Sequence, residues 1–304
     1  MHKYEIAPDK SERIKLILAF ISIYIIWGST YLAIRFAIET LPPFLMAGIR
    51  FLLAGGVMYF ILRWKGIPPP TRTEWRDMSI IGAFLFLGGN GGVVWAEQFV
   101  PSGLTSLLIA TVSLWMVLLD WLWKKNPRPQ MQAMFGIILG LLGIVLLVDP
   151  MDLGGDQVHL TGALMIILSA FSWAFGSIYA RTARLSSSIF MVSAVEMIGG
   201  GVLLFLLGTA TGEWAQFQFE SVSMVSGLSF LYLIFFGSFI GITSYAFILQ
   251  KVTPDKASTY AFVNPVVAVF LGWFIADEVI NYKIIAATAV IIFAVVLVIR
   301  SNRK

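Results

Sequence analysis

The most constraining feature of this sequence is a series of apolar segments, each near 20 residues long, separated by short polar breaks. A helix needs about 20 apolar residues to cross the roughly 30 Å hydrocarbon layer of a bilayer. Charged residues make up 12% of the chain, whereas an average soluble domain has about 25%. Because the chain lacks the charged surface of a soluble domain, the pattern predicts an all-α integral membrane protein.

Ten apolar segments are predicted to be transmembrane helices, numbered 1 to 10 in chain order. Prolines mark several of the breaks, since proline inside a helix removes a backbone hydrogen bond and clashes with the preceding turn. The predicted spans are Leu16–Ile38, Pro42–Leu62, Met78–Ala96, Ser102–Trp123, Met131–Val148, Leu160–Ala180, Ile189–Thr209, Val222–Leu249, Pro254–Ile275 and Tyr282–Ile299.

The loops carry opposite charges on the two sides of the predicted membrane. All 21 lysines and arginines except Arg35, Arg50 and Lys283 lie in the tails or in loops facing one side, and the alternate loops carry aspartate and glutamate. Cytoplasmic loops retain lysine and arginine. We therefore predict both termini in the cytoplasm and a multi-pass location in the plasma membrane, here a bacterial inner membrane. The net charge of +4 reflects these loops and does not indicate nucleic-acid binding.

The residue types that support catalysis are scarce. The chain has no cysteine, and its two histidines, His2 and His159, are not paired with an acid at a recognisable spacing. Thiol catalysis, thiolate metal sites and disulfides are therefore excluded. A phosphate-binding loop of the glycine-lysine-serine type is also missing from the sequence, which excludes ATP hydrolysis by that route. We predict a protein that is not an enzyme, with no cofactor and no metal.

The two halves of the chain resemble each other. Trp27–Tyr31 in helix 1 matches Phe175–Tyr179 in helix 6, and Ala47–Arg50 matches Ser193–Glu196. A third match, of Phe99–Gly103 with residues 251–255, follows in the same order at a similar separation. A unit of five helices crosses the membrane an odd number of times, so its second copy must be inverted. Inverted repeats are typical of secondary transporters, whose substrate site lies near the midplane between the repeats.

The predicted organisation places one repeat on each side of an external linker. Residues 1–15 form a cytoplasmic tail, 16–149 the first five-helix repeat, 150–159 the linker, 160–299 the second repeat and 300–304 a second cytoplasmic tail. The alternative is a pair of homologous bundles with no pathway between them.

At these positions the sequence resembles the EamA family of the drug/metabolite transporter superfamily, over residues 16–299. The resemblance rests on Trp27–Ser29 with Arg35 and Arg50, on Trp173–Tyr179, and on Thr259–Val267 with Glu278. It implies export of amino acids, related metabolites or toxic compounds through a central cavity lined by helices 1, 3, 4, 6, 8 and 9. Repeat one lacks the counterparts of Pro265 and Glu278, near Ser113 and Lys124, so we expect a weaker kink in helix 4 than in helix 9.

Arg35, Arg50 and Glu196 are charged residues in the interior of predicted spans. A charge near the bilayer centre is costly, so such residues usually face protein or water. Arg50 lies about 12 Å from the outer boundary at roughly 1.5 Å per residue. For both arginines the alternatives are a functional role and a buried partner that holds helices together. Glu196, the repeat counterpart of Arg50, is a candidate for proton coupling, although helix 7 is not among the family's cavity helices.

Aromatic and neutral polar residues on the cavity helices are the predicted substrate contacts. Trp27 and Tyr31 share a face of helix 1, four residues apart. The alternative for the tryptophans is an interfacial belt. The predicted substrate-binding residues are Trp27, Tyr31, Asn90, Trp95, Ser113, Trp115, Trp173, Ser177, Tyr179, Thr243, Tyr245, Tyr260 and Asn264.

Five residues are predicted to act as hinges. Gly88, Gly89, Gly91 and Gly92 flank Asn90 in helix 3, and so many glycines permit either local unwinding or simply close packing. In helix 9, Pro265 leaves a backbone carbonyl without its helical partner, and such a group within a membrane needs protein, water or ligand.

The sequence therefore predicts a secondary transporter that exports a small polar or amphipathic metabolite by alternating access, with proton coupling as a further hypothesis. The predicted partners are the substrate and the lipid bilayer, and the protein is predicted to be a monomer or homodimer. A passive facilitator or channel of the same fold is the alternative. An intramembrane enzyme acting on lipid-linked substrates is a third possibility, although the sequence offers no convergent acid–base pair for it.

Overall fold

The computed structural model describes residues 10–123, 130–148, 159–186, 188–252 and 254–301. Within these ranges every regular element is helical, which confirms the predicted all-α class. Several predicted features lie outside the described residues. They are the N-terminal tail before Lys10, the basic loop with Lys124, Lys125 and Arg128, residues 150–158 of the predicted linker, and the C-terminal residues 302–304.

Ten long helices, numbered α1 to α10, correspond in order to the predicted spans. The short helices Glu213–Gln216 and Pro254–Ala257 precede α8 and α9. The long helices are α1 Ser11–Ile38, α2 Pro43–Trp64, α3 Arg72–Ala96, α4 Ser102–Leu122, α5 Met131–Val148, α6 Leu160–Ala180, α7 Ile189–Ala210, α8 Met224–Lys251, α9 Tyr260–Ala276 and α10 Tyr282–Ser301.

Seven of these helices are long and apolar enough to cross a membrane. In α5, α9 and α10 the described apolar stretches are shorter, at Met131–Gly143, Val263–Ala276 and Tyr282–Ala294. Large apolar side chains such as Phe60, Leu164 and Phe235 are exposed, as expected where a bilayer replaces water as the solvent. The exact count of ten crossings stays a prediction.

The two repeats run in opposite directions through the bundle. At one end, which we call the basic end, Lys251 of α8 pairs with Glu12 of α1. At the other, the acidic end, Arg35 of α1 pairs with Glu278, which follows α9. Helix α1 thus begins at the basic end, whereas α6 begins at the acidic end, where its Gly162 packs against Val100. The second repeat is therefore inverted relative to the first, as predicted.

Equivalent helices of the two repeats pack against each other. Helix α2 packs extensively against α7, and α5 packs extensively against α10. At Gly48 a Cβ atom would lie 2.7 Å from the backbone nitrogen of Phe205, and at Gly201 it would lie 3.0 Å from that of Leu52. Small residues that let backbones approach are the usual means of helix association in a membrane. These two pairings hold the repeats together and leave α1, α3, α4, α6, α8 and α9 around the centre.

Helix α4 is interrupted at Ala110 and Thr111, between Ser102–Ile109 and Val112–Leu122. Here the backbone N–H groups of Thr111 and Leu114 donate to carbonyls three residues earlier. The hydroxyl groups of Thr111 and Ser113 donate to the carbonyls of Leu108 and Ala110, at 2.8 and 2.9 Å. Such hydroxyl bonds compete with the helical pattern. Helix 4 is thus interrupted without a proline, and the expectation that its kink is weaker than that of helix 9 stays a prediction.

Three helices contain stretches wound as π-helix: Ile23–Trp27 in α1, Ala83–Gly91 in α3 and Leu233–Ile242 in α8. π-helical turns are rare in proteins, and those that occur are often found at functional sites. The glycine-rich segment of α3 therefore remains helical. Its glycines pack closely against neighbouring helices: a Cβ atom at Gly89 would lie 2.9 Å from the Trp173 ring, and one at Gly91 2.8 Å from Leu204.

Candidate functional site

A cavity of about 70 Å³ lies near the middle of the bundle, between the two repeats. Five of the predicted substrate-binding residues line it, together with the predicted hinge residue Gly89. The cavity also has several lining residues that the sequence analysis did not single out. The lining residues are Trp27, Thr30, Tyr31, Ile34, Arg50, Phe51, Phe86, Gly89, Asn90, Val93, Ile109, Ser169, Trp173, Ile242 and Tyr260.

Four rings from four different helices form an aromatic cluster at this cavity: Trp27, Trp173, Tyr245 and Tyr260. The Trp27 ring lies at its centre, with centroid distances of 5.4 Å to Trp173, 5.1 Å to Tyr245 and 5.4 Å to Tyr260. Two of these contacts are edge-to-face, an arrangement that favours aromatic pairs beyond their buried area. All four residues were predicted from sequence to contact substrate.

Hydrogen bonds fix the cluster to the backbone. The Trp27 indole Nε1–H donates to the carbonyl of Gly237 at 3.3 Å, and the hydroxyls of Tyr245 and Ser177 lie 2.7 Å apart. The amide nitrogen of Asn264 faces the carbonyls of Ile23, Tyr24 and Tyr260 at 3.2, 3.2 and 3.3 Å. Asn264 therefore joins α9 to the π-helical stretch of α1. It does not line the cavity itself, but its neighbour Tyr260 does.

Arg50 reaches the cavity from α2, although only 3% of the residue is exposed. Its Nε–H donates to the Ser238 hydroxyl at 2.9 Å, and the guanidinium carbon lies 4.6 Å from the centre of the Phe51 ring. The guanidinium nitrogen Nη1 is buried without a hydrogen-bond partner in the described part of the chain. The family resemblance did not place helix 2 at the cavity, and the structure adds it through Arg50 and Phe51.

A second cavity, of about 370 Å³, lies toward the basic end, and we call it the vestibule. It is lined by Glu196, Arg181, Gln250 and Tyr245, among others, and it shares Ile242 with the central cavity. Glu196 is 4% exposed. The predicted intramembrane charge of helix 7 therefore faces a polar space, while Tyr245 and Ile242 lie between that space and the central cavity.

At the acidic end, four residues join α1, the start of α4 and the segment after α9. We call them the latch: Arg35, Ser102, Gly103 and Glu278. Arg35 Nη1 donates to Glu278 Oε1 at 2.8 Å. The backbone N–H and the hydroxyl of Ser102 donate to the same oxygen, at 2.8 and 2.7 Å, and Gly103 N–H donates to Oε2 at 3.0 Å. Arg35 therefore has a buried partner, one of the two alternatives left open by the sequence.

Glu97, directly after α3, is a buried acid that the sequence analysis counted only among the loop charges. It is 5% exposed, and neither carboxylate oxygen has a hydrogen-bond partner among the described residues. Burial raises the pKa of Glu97 well above its usual range, the charge of Glu278 adds to this rise, and Arg35 opposes it. Its position directly after an apolar run was the only sequence signal available.

Eight of the thirteen predicted residues are not among those that line the central cavity. Three of them, Ser177, Tyr245 and Asn264, belong to the hydrogen-bonded surroundings of the aromatic cluster. Trp95 packs against Phe99, Trp115 against Phe171 and Tyr179 against Trp123. Ser113 bonds to its own helix in α4, and the buried hydroxyl of Thr243 has no partner among the described residues. A substrate role for these residues stays a prediction, as does the hinge role of Pro265, which lies within α9.

Comparisons with known proteins agree with this architecture. The chain is 39% identical to the inner membrane transporter YedA of Escherichia coli, over 92% of this chain and 89% of that protein. It is 26% identical to the transporter YoaV of Bacillus subtilis, over 91% and 94% of the two chains. A protein of Salmonella typhimurium named as a probable amino-acid metabolite efflux pump is 27% identical, over 82% and 85%.

A solved crystal structure shares the fold, with a TM-score of 0.68 at 17% identity over 96% of this chain and 100% of the other. The sequence model of the EamA-like transporter family matches two segments, residues 14–149 and 160–300. These segments run in opposite directions and meet at the central cavity. With both repeats matched and a transporter relative at 39% identity, the chain belongs to the EamA-like transporter family.

Proposed function

We propose that this protein is a secondary transporter that exports a small metabolite from the cytoplasm by alternating access. The observation that carries the proposal is the position of the central cavity between the latch and the vestibule, with walls from both repeats. A site that is closed toward one face and adjoins a polar cavity toward the other is what alternating access requires. The basic end then faces the cytoplasm, with both termini there, in a bacterial inner membrane.

The cavity lining supports a small amphipathic substrate. Indole and phenol rings offer apolar faces with polar edges, and Thr30, Asn90 and Ser169 add neutral polar groups. Amino acids and related metabolites fit this lining, and the name of the Salmonella relative, an amino-acid metabolite efflux pump, supports the same substrate class.

Proton coupling through Glu196 is the second part of the proposal. Glu196 is buried and lines the vestibule, and buried carboxylates in membranes commonly serve as proton carriers. Glu196→Gln should abolish transport driven by a pH gradient in proteoliposomes while leaving counterflow of labelled substrate intact. Retention of pH-driven transport by this variant would rule out Glu196 as the coupling residue.

Flux measurements in proteoliposomes test the site assignment. Trp27→Ala and Asn264→Ala should each abolish substrate flux, because the first removes the centre of the aromatic cluster and the second frees α9 from α1. Trp64→Ala is the matched control, since Trp64 is 83% exposed and lies far from the cavity. Unchanged flux in both variants, with normal folding, would overturn the assignment.

A passive facilitator of the same fold is the alternative function. Both a facilitator and a coupled transporter catalyse counterflow, but only the coupled transporter accumulates substrate against its gradient when a proton gradient is imposed. An enzyme of lipid-linked substrates has less support, because no group of acids and histidines in the described ranges could hold a metal ion.

A further inference from the structure

We propose that Arg50 and Asn90 form a binding site for the carboxylate, and for an adjacent N–H group, of the transported molecule. This inference rests on the proposed transport function and adds to it the charged group that the substrate must carry. It starts from two buried polar atoms of opposite character, which lack partners among the described residues and belong to two residues that line the same central cavity.

The donor side of the site is the Arg50 guanidinium. Its Nε–H is held by the Ser238 hydroxyl at 2.9 Å, which fixes the direction of the planar group. Its Nη1 nitrogen is buried and has no hydrogen-bond partner in the described part of the chain. A fork held at Nε, with terminal N–H groups free, is the geometry that binds a carboxylate through two parallel hydrogen bonds.

No acidic residue neutralises this arginine within the described ranges. The ion pairs there join Arg35 to Glu278, Arg76 to Asp77 and Lys251 to Glu12. Arg35 is the contrasting case, because its guanidinium bonds directly to a carboxylate. Arg50 is more deeply buried than Arg35 and has only a neutral hydroxyl.

An arginine in this position keeps its charge. Lysine and histidine can lose a proton when desolvated, but arginine cannot be deprotonated under ordinary conditions in proteins. A buried charge without a counter-charge is unfavourable, so an anion that enters the cavity gains more from Arg50 than it would from a partnered arginine. A substrate carboxylate supplies the missing charge.

The acceptor side of the site is Asn90 in the π-helical stretch of α3. Its side-chain oxygen Oδ1 is buried and has no donor among the described residues. A carboxylate cannot bond to this oxygen, whereas an ammonium or amide N–H can. A molecule with both groups, such as an α-amino acid, satisfies Arg50 and Asn90 together.

The lining of the cavity assigns it to the charged end of the substrate. Arg50 and Asn90 both line this cavity of about 70 Å³, so a carboxylate and its amino group can lie between them. The rest of the molecule then lies against the rings of Trp27, Trp173 and Tyr260, which border the same space.

The experiment measures binding and transport with three matched probes. They are L-leucine, leucinamide, which lacks the carboxylate, and 4-methylpentanoate, which lacks the amine. Binding is followed by thermal stabilisation of the purified protein, since a ligand of the native state raises the unfolding temperature. Transport is followed by counterflow in proteoliposomes. The variants are Arg50→Gln, Arg50→Lys and, as the matched control, Arg63→Gln in the exposed part of the same helix.

We expect L-leucine to stabilise the wild type most, 4-methylpentanoate less and leucinamide least. Arg50→Gln should weaken binding of both carboxylates by about 10- to 100-fold, the range expected for loss of a charged hydrogen bond. Arg50→Lys should retain part of the binding, because the charge remains while the fork is lost. Arg63→Gln should behave like the wild type. If Arg50→Gln does not fold, Arg50→Lys decides.

Three outcomes would overturn the inference. One is binding of leucinamide as tight as that of L-leucine, another is unchanged carboxylate binding in the Arg50 variants, and the third is equal stabilisation by chloride and carboxylates, which would indicate an inorganic-anion site. Binding of carboxylates without counterflow would instead contradict the proposed transport function and leave the carboxylate site standing.

Discussion

At the scale of single residues, the charged groups from the bundle centre to the acidic end fall into two classes. Arg35, Glu213 and Glu278 are held by charged or backbone hydrogen bonds, whereas Arg50 and Glu97 lack a charged partner within bonding distance in the described part of the chain. Bonded partners offset the desolvation cost of a buried charge, whereas a buried charge without a partner destabilises a fold. Arg50 and Glu97 are therefore the charges that need a functional explanation.

Glu97 predicts a specific dependence of stability on pH. Its pKa is raised in the folded protein by burial, while in the unfolded chain a glutamate titrates near about 4.3. The folded state therefore binds the proton more tightly, and its stability falls as the pH rises above that value. Glutamine does not titrate, so the Glu97→Gln variant should not lose stability in this way. The difference in unfolding temperature between this variant and the wild type should therefore grow as the pH rises above about 5.

Thermal unfolding in detergent over a pH series measures this effect. Glu39→Gln is the control, because Glu39 is exposed at the same end of the bundle, and its profile should parallel that of the wild type. A constant difference between Glu97→Gln and the wild type across the pH range would show that Glu97 does not titrate as the structure indicates.

At the scale of helices, two carboxylates from the second repeat cap helices of the first. Glu213 accepts the backbone N–H groups of Phe44 and Leu45 at the start of α2, at 3.0 and 2.7 Å. Glu278 accepts those of Ser102 and Gly103 at the start of α4. Each helix begins after a proline and lacks a capping side chain of its own. A negative charge from a distant segment therefore meets the free N–H groups and the positive end of the helix dipole.

Glu213→Ala should lower the free energy of unfolding by about 1–2 kcal/mol, the range for loss of a helix cap with a favourable charge. Glu213 is 7% exposed, so water would replace it poorly. Denaturant or thermal unfolding in detergent measures the loss. Glu220→Ala, at an exposed acid in the same connection, should change stability little, and equal losses in the two variants would exclude the cap.

The π-helical stretches are a second feature at this scale. Those of α3 and α8 occupy corresponding positions in the inverted repeats, and each gives a backbone carbonyl to a side chain of a neighbouring helix. Ser172 bonds to Phe84 in α3 at 2.7 Å, and Trp27 bonds to Gly237 in α8 at 3.3 Å. Carbonyls displaced from the helical pattern need such partners in a membrane. The stretches thus widen the helices at the cavity while their backbone groups remain bonded.

At the scale of the whole molecule, alternating access requires the latch to open. The latch joins α1 of the first repeat to the end of α9 in the second, and it also holds the start of α4. Opening toward the acidic end therefore breaks an ion pair and three hydrogen bonds to one carboxylate together. The proportion of molecules open at that end should depend strongly on Glu278.

Glu278→Gln should raise the rate at which a cysteine at Val93 is labelled from the acidic side by about tenfold, the change expected for loss of roughly 1.4 kcal/mol of charged bonding. Val93 lines the cavity and is 6% exposed. The chain has no cysteine of its own, so Val93→Cys can be labelled alone by a membrane-impermeant maleimide. The control is a cysteine at the exposed position Glu220, which should react equally fast with Glu278 present and with Glu278→Gln. Equal labelling rates for Val93→Cys in these two backgrounds would show that Glu278 does not close the cavity.

The sequence by itself determined the helical class and the inverted repeat. Apolar length and loop charge are local properties, and a membrane leaves few other ways to satisfy the backbone. The helices that supply most of the cavity were implied by the family resemblance, and Trp27, Tyr31, Asn90, Trp173 and Tyr260 could then be selected as aromatic or neutral polar residues on those helices. Trp95, Trp115 and Tyr179 were selected by the same criteria and lie elsewhere, because helix rotation is not encoded in residue type.

Only the tertiary structure decided which charges have partners. The sequence presents Arg35 and Arg50 as similar intramembrane arginines, yet Arg35 meets Glu278, 243 positions away, and Arg50 meets a serine hydroxyl and an open cavity. Glu97, Glu213 and Glu278 looked alike as acids after helices, yet two cap distant helices and one is buried without a hydrogen-bond partner in the described chain. These differences arise from how inverted repeats bring remote segments together, and pairing at such distances leaves no periodic signal in the chain.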